Sequence, residues 1–364
     1  MMEWLRLCVG GVCLYFGAEW FVGAAATLAL ALRVPQILVG LTVVAYGTSA
    51  PEVVVGVRAA SSGHGELAIG NVIGSNIANM GLILGVVALV YPTVVNGALR
   101  RRERPVLVAS TAFVPLLLMD GVVSRVEGAA LLLVASGYLA WMVHAARGAS
   151  ERAAATVHAV AARDAAAHAA AQDPPAHAAA QDPSAHAAAQ DSPAHAAADA
   201  LVVAVSPHAT RVHVRGLVHA GATALTGLGV LLVGGSLFVD GAAAVAHSLG
   251  MSERLVGLTV VAFGTSLPEL VSSLIAARRG HADLAVGNVV GSNICNVLLC
   301  LGAASVASPL RAPLGSLWVE LTTLVLMTFA VAIFIRSQRT LTRIEGAAVL
   351  MMYAVFTVAT VARR

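Results

Sequence analysis

The sequence predicts an all-α polytopic membrane protein, with ten transmembrane helices arranged as two inverted five-helix repeats. Three observations predict it. Of 364 residues, 58% are hydrophobic and 11% charged, at a mean hydropathy of +0.83. A soluble domain carries about 25% charged residues, so most of this chain cannot face water. Apolar runs of roughly 20 residues recur along both halves, about the length needed to cross a bilayer as a helix. They are continuous rather than alternating, which argues against a strand-built barrel. The third observation is an internal repeat. Gly40 to Glu52 reads GLTVVAYGTSAPE and Gly257 to Glu269 reads GLTVVAFGTSLPE, differing at two positions. Gly70 to Asn79 (GNVIGSNIAN) and Gly287 to Asn296 (GNVVGSNICN) match at the same offset of 217 residues.

The helices are expected at roughly 4–31, 35–60, 66–91, 105–121 and 125–146, then 215–247, 253–277, 282–308, 314–335 and 342–361. Weaker echoes, RVEGAA from Arg125 against RIEGAA from Arg343 and Phe21-Val22 against Phe238-Val239, extend the duplication over nearly each half. The first apolar stretch, Trp4 to about Leu32, is too long for a signal-peptide core and shows no clear cleavage site. Five helices per half is an odd number, so the second repeat enters the membrane from the other side. Inverted pairs of this kind are common in secondary transporters, with the site at the repeat interface near the midplane. The expected units are 1–146, a linker 147–213, and 214–364.

Every basic residue is an arginine. With the N-terminus outside, the inner loops hold 15 of the 22, including the Arg100, Arg101, Arg102 and Arg104 cluster. The positive-inside rule therefore places both termini outside and the linker in the cytoplasm, in the cell (inner) membrane. The net charge of +3 forms no nucleic-acid stripe, and no protein partner is expected. Cys8, Cys13, Cys295 and Cys300 all lie in apolar segments without zinc or redox spacing and read as buried small hydrophobes. The linker repeats AHAAAQDPP, AHAAAQDPS and AHAAAQDSP, with His168, His177, His186 and His195 nine residues apart. Nine residues is two and a half helical turns, which puts successive histidines on opposite faces, and proline interrupts any such helix. The tract reads as a slipped duplication in an alanine-rich spacer rather than a metal site.

Glu52 and Glu269 fall in the middle of apolar helices. A carboxylate at the bilayer centre costs about 2.5–3.5 kcal/mol on insertion scales, so two cost on the order of 5–7 kcal/mol, comparable to a protein's whole net stability. Neither helix centre contains an arginine to pair with them; cations would be the partners. Ala45, Thr48, Ser49 and Glu52 share one helix face, as do Ala262, Thr265, Ser266 and Glu269. Pro51 and Pro268 supply no N–H to the carbonyls of Gly47 and Gly264. A kinked helix with bare carbonyls beside hydroxyls and a carboxylate offers hard oxygens, which Ca²⁺ and Na⁺ prefer. Ser75 with Asn79, and Ser292 with Asn296, add co-facial polar pairs, while Asn76 and Asn293 point elsewhere and are candidates to bond freed backbone. Gly70, Gly74, Gly287 and Gly291 suit close helix approach. Glu66 and Asp283 sit near helix starts, and Glu127 and Glu345 near membrane edges, as structural acids. Glu19 and Asp240 occupy apolar helices at unmatched repeat positions and are candidates for an access path.

With VAYGTSAPE and GNVIGSNIAN in one half and VAFGTSLPE and GNVVGSNICN in the other, the chain resembles the sodium/calcium exchanger family of the cation/calcium antiporter superfamily. The resemblance covers everything but the linker. It implies Ca²⁺/Na⁺ antiport by alternating access, with the first and sixth helices sliding against the rest, and no resident cofactor. It implies ligands from Thr48, Ser49, Glu52, Ser75 and Asn79, with Thr265, Ser266, Glu269, Ser292 and Asn296, and sodium sites completed by the carbonyls of Ala45 and Ala262. Many members carry Asp at one of the positions held here by Asn79 and Asn296, a departure that speaks against potassium co-transport. The related cation/proton exchangers usually place a Glu shortly after the Gly-Asn pair, where this chain has apolar residues, Gly and Ser. The alternatives are a Ca²⁺/H⁺ antiporter on the same scaffold and a passive cation channel. An intramembrane enzyme is disfavoured, because no histidine shares a helix with Ser49 or Ser266 to activate it.

Overall fold

A computed structural model describes residues 2–32, 34–94, 99–172, 214–248, 262–313, 315, 317–337 and 340–362. The chain is a multi-pass helical membrane protein. Its helices are α1 (Met2–Ala31), α2 (Gln36–Thr48), α3 (Ala50–Ser61), α4 (Gly65–Val90), α5 (Arg104–Leu117) and α6 (Arg125–Gln172) in the first half. The second half holds α7 (Val214–Ser248), α8 (Ala262–Thr265), α9 (Leu267–Arg278), α10 (Ala282–Ala307), α11 (Trp318–Ser337) and α12 (Arg343–Ala362). Among the described residues seven helices are long and apolar enough to cross a bilayer, and α2 with α3, bent by 43°, make up an eighth span. The 14-residue α5 is shorter than expected, ending four residues early before a turn at positive-φ Gly121. Residues 249–261, which carry the first part of the second Gly257–Glu269 motif, lie outside the described residues.

The core sits in α4 and α10. Of their most apolar windows, 78% and 83% are buried inside the protein, against 11–39% for the other spans, so these two form the centre and the rest turn apolar side chains outward, where lipid is the expected solvent. Gly287 and Gly291 let α10 cross α2 closely: a Cβ on either would come 2.7 Å from the carbonyl of Ile37 or Leu41. Gly70 and Gly74 have no such neighbour among the described residues.

Helices α1 and α7 run antiparallel along a seam of glycines seven residues apart. A Cβ on Gly10 or Gly17 would collide with the main chain of Phe238 or Leu231, and one on Gly227, Gly234 or Gly241 would lie 2.6–2.7 Å from the backbone nitrogens of Phe21, Leu14 or Leu7. Only glycine admits main-chain packing this tight.

Strands are not wholly absent. Thr93–Val94 (β1) pairs antiparallel with Thr340–Leu341 (β4), and Val122–Val123 (β2) with Leu310–Arg311 (β3). These two-residue ladders lie in the connections and satisfy backbone groups between helices. Both flanking acids of the last helices in each half cap them. Glu127 accepts from Ser124 N and Oγ at 2.7 and 2.8 Å, and Glu345 from Thr342 N and Oγ1 at 2.8 and 2.9 Å, the reciprocal capping arrangement.

The fifth helix of the first half does not stop at 146. It continues through the start of the expected linker to Gln172, because the stretch is rich in alanine, the strongest helix former, and the first proline comes only at Pro174. The rest of the linker, with His177, His186 and His195, lies outside the described residues. Of the cysteines, Cys295 and Cys300 are buried as expected; Cys8 is exposed and Cys13 half-buried, both on α1.

Candidate ion site

Each half presents its polar residues on one broken helix and one locally widened helix. The breaks fall at Ser49 (φ −80°, ψ 5°) and Ser266 (φ −90°, ψ 6°), each followed by a proline in the first turn of the next helix. Pro51 and Pro268 withdraw one N–H from the helical ladder. The chain restarts as α3 and α9, and Glu52 and Glu269 lie in their first turns, where the positive end of the helix dipole favours a carboxylate. Both acids are 1% exposed. In the partner helices, π-helical turns run from Asn79 to Ile83 and from Asn296 to Cys300. Such widened turns recur at functional sites, and here each opens at one of the expected ligand positions.

The two halves meet at these residues. Ser49 Oγ donates to Glu269 Oε1 at 3.2 Å. Asn296 Nδ2 donates to Asn76 Oδ1 at 3.1 Å, Asn79 Nδ2 to Asn293 Oδ1 at 3.4 Å, and Asn76 Nδ2 to the Asn293 carbonyl at 3.3 Å. Asn76 thus does reach a backbone carbonyl, but in the opposite half, and both Asn76 and Asn293 join the site rather than pointing away from it. Thr48, Ser49, Ser75, Asn79, Ser266, Ser292 and Asn296 are all buried; Thr265 is half-buried. Ala45 lies on the same broken helix, with its carbonyl accepting the Ser49 N–H at 3.0 Å and lying 3.4 Å from Thr48 Oγ1. Ala262 opens α8 at the matching position.

Five buried oxygens here have no hydrogen-bond partner among the described residues: Glu52 Oε2, Glu269 Oε2, Asn79 Oδ1, Ser266 Oγ and Ser292 Oγ. A buried acceptor left unpaired is costly, and a buried carboxylate more so. The two glutamates also lie within electrostatic reach of each other. These oxygens form a donor set that suits a cation, while Asn293 Nδ2, a donor in the same cluster, is also unpaired among the described residues.

Sequence reading missed three residues that touch this cluster. Asn71 Nδ2 donates to the Glu52 carbonyl at 3.2 Å, and Asn288 Nδ2 to the Glu269 carbonyl at 3.4 Å. Cys300 Sγ lies 3.4 Å from Asn296 Oδ1. The signal for the asparagines was present: both follow a glycine at the 217 offset in otherwise apolar helices. Glu19, a candidate for an access path, is instead ion-paired with Arg279 at the end of α9. An arginine more than 250 residues away supplies the counter-charge.

A multi-span helical protein with paired buried carboxylates and a shell of hydroxyl and amide oxygens on broken helices belongs to the class of membrane cation transporters. A family model described as sodium/calcium exchanger protein matches residues 2–144 and 219–362. The chain belongs to that family, which is one of exchangers rather than enzymes. It is 30% identical to the sodium/calcium exchanger MaX1 of Methanosarcina acetivorans, over 98% of each chain. It is 34% identical to the putative antiporter CaxA of Alkalimonas amylolytica, over 83% of this chain and 79% of that protein. Among solved structures it is similar to the sodium-calcium exchanger NCX_Mj soaked with Na⁺ and Ca²⁺, at a TM-score of 0.73 and 29% identity, covering 98% of this chain and 97% of that one.

Proposed function

We propose that this protein is a secondary active antiporter that exchanges Ca²⁺ for Na⁺ by alternating access, with Glu52 and Glu269 as the central carboxylates. The observation that carries the reading is the set of five unpaired buried oxygens, two of them carboxylate. Two carboxylates give the site a charge of about −2, which one Ca²⁺ neutralises with hard oxygen ligands. Thr48, Ser49, Ser75 and Asn79, with Thr265, Ser266, Ser292 and Asn296, complete the ligand set, joined by the Ala45 and Ala262 carbonyls for Na⁺. Each half has its own hydroxyl cluster, so monovalent ions are spread over the same oxygens. A carrier coupled to protons needs only protonatable groups and gains little from those hydroxyls.

The architecture we infer is ten transmembrane helices in two inverted repeats of five. The two small ladders support it: the pair Thr93–Leu341 corresponds to the pair Leu310–Val123, with Thr93 and Leu310 at the 217 offset and Val123 and Leu341 at 218, the spacing of Arg125 and Arg343. Both ladders and one further contact, His281 with Gln36 at 3.2 Å, join segments that the arginine count puts on the same face of the membrane as each other. In this topology both termini lie outside and the linker is cytoplasmic, in the cell membrane. The α1–α7 pair, joined along its glycine seam, is the unit that slides.

The test is radioactive calcium uptake into proteoliposomes with each gradient imposed separately, a proton ionophore excluding indirect coupling. An outward Na⁺ gradient is expected to drive uptake and a pH gradient alone is not. Uptake that follows pH and ignores Na⁺ makes the protein a Ca²⁺/H⁺ antiporter; single-channel currents make it a channel.

A further inference from the structure

Asn288 lies on α10, 1% exposed, between the two halves of the site. Its Nδ2 donates towards three acceptors of α9: the Glu269 carbonyl at 3.4 Å, Ser272 Oγ at 3.2 Å and Ser273 Oγ at 2.9 Å. Its Oδ1 faces the first half and accepts from Thr48 Oγ1 at 3.3 Å. The amide has one sensible orientation. The Glu269 carbonyl can only accept, so Nδ2 must face it and Oδ1 must face Thr48.

That orientation decides what Thr48 can do. Its hydroxyl has one proton and two lone pairs. Around it stand the Val44 carbonyl at 3.0 Å, the Ala45 carbonyl at 3.4 Å and Asn288 Oδ1 at 3.3 Å, all acceptors. The Glu269 carboxylate is within reach of the hydroxyl as well, so the proton goes to one of these acceptors, and the lone pairs, facing no donor among the described residues, are left for a cation. A flipped amide would instead donate to Thr48 and occupy the lone pair that a cation needs. We propose that Asn288 is a positioning residue for ion exchange: it fixes the Thr48 hydroxyl of one half against the Glu269 backbone of the other, so that Thr48 offers its oxygen to Na⁺. This rests on the Na⁺/Ca²⁺ reading, in which both ions use the same oxygens but Na⁺, with half the charge to draw on the two carboxylates, depends more than Ca²⁺ on each neutral ligand such as Thr48.

The experiment uses the full-length protein in proteoliposomes and compares Na⁺-driven Ca²⁺ uptake with Ca²⁺/Ca²⁺ self-exchange. The variants are Asn288→Ala, Asn288→Ser, Thr48→Val and the double variant Asn288→Ala/Thr48→Val. Asn288→Ala is expected to raise the half-saturating Na⁺ concentration about fivefold, with the Ca²⁺ value in self-exchange moving less than about twofold. Asn288→Ser, polar but too short to bridge, is expected to give the same split if the alanine variant does not fold. The double variant should be no worse than Thr48→Val alone, since both remove one interaction. Equal shifts for both ions, no shift in Na⁺ dependence, or additive losses overturn the inference. If the wild-type protein itself shows no Na⁺-driven uptake, the Na⁺/Ca²⁺ reading fails first, and the role given to Asn288 fails with it.

Discussion

The Ser49 hydroxyl of one half hydrogen-bonds to Glu269 Oε1 of the other at 3.2 Å. It is a single contact between the helix break of the first repeat and the acid of the second. It leaves Glu269 Oε2 unpaired and sets the direction in which that carboxylate opens. Hydrogen bonds to charged groups contribute about 1.5–3 kcal/mol. Ser49→Ala is therefore expected to weaken Ca²⁺ affinity by about tenfold or more, while Ser49→Thr retains most of it. Flux measured against Ca²⁺ concentration checks this; an unchanged alanine variant removes Ser49 from the site.

Glu52→Gln and Glu269→Gln should each abolish Ca²⁺ exchange without unfolding the protein. Glutamine keeps the shape and one oxygen but lacks the charge that offsets divalent dehydration. The second readout is thermal stability. Ca²⁺ binds the folded state and should raise the wild-type Tm, but not that of either variant. In ion-free buffer both variants should be at least as stable as wild type, because two buried anions within reach of each other have become one. Normal flux in either purified variant would sink the assignment.

The glycine seam gives a prediction about folding rather than transport. Gly17→Leu or Gly234→Leu puts a side chain where the opposing main chain already lies, and overpacking of this kind costs about 1–3 kcal/mol or more. Both should lower the yield of folded protein in detergent. Gly229→Ala, on the exposed side of α7 with no described neighbour within 4 Å, should behave like wild type. Equal tolerance at all three positions would mean that the helices are not in main-chain contact.

Deleting about Ser150 to Val205 should leave exchange intact. The residues are low in complexity, and every side chain assigned to the site lies outside them. Loss of flux in a deletion that still expresses and inserts would give this tract a role that its composition does not suggest.

Much of the site was legible because the sequence states it twice. Pro51 and Pro268 located the breaks, and the 217 offset put Glu52 opposite Glu269 without any structure. What the repeat could not supply was the way its copies meet. Ser49 with Glu269, Asn296 with Asn76 and Thr48 with Asn288 are pairings across the two halves, and helical spacing speaks only within one helix. The ion pair of Glu19 was hidden for the same reason, since its partner Arg279 belongs to the opposite half. The π-turns at Asn79 and Asn296 left no signature that apolar periodicity could reveal. At the linker, low complexity hid a strong local preference, and alanine carried α6 on to Gln172.

One mechanical property follows from the seam between α1 and α7. Side chains that interlock can be re-sorted a rotamer at a time, but backbone lying on backbone offers nothing to re-sort. The two helices are thus a single stiff beam about 45 Å long, at 1.5 Å for each of the 30 residues of α1. Arg279, paired to α1 through Glu19, and Arg278, donating to Tyr15 at 3.0 Å, fasten that beam to the end of α9. A displacement begun at one end of the beam must arrive at the other with little loss, and the lipid faces are joined by a strut rather than by a chain of adjustable contacts.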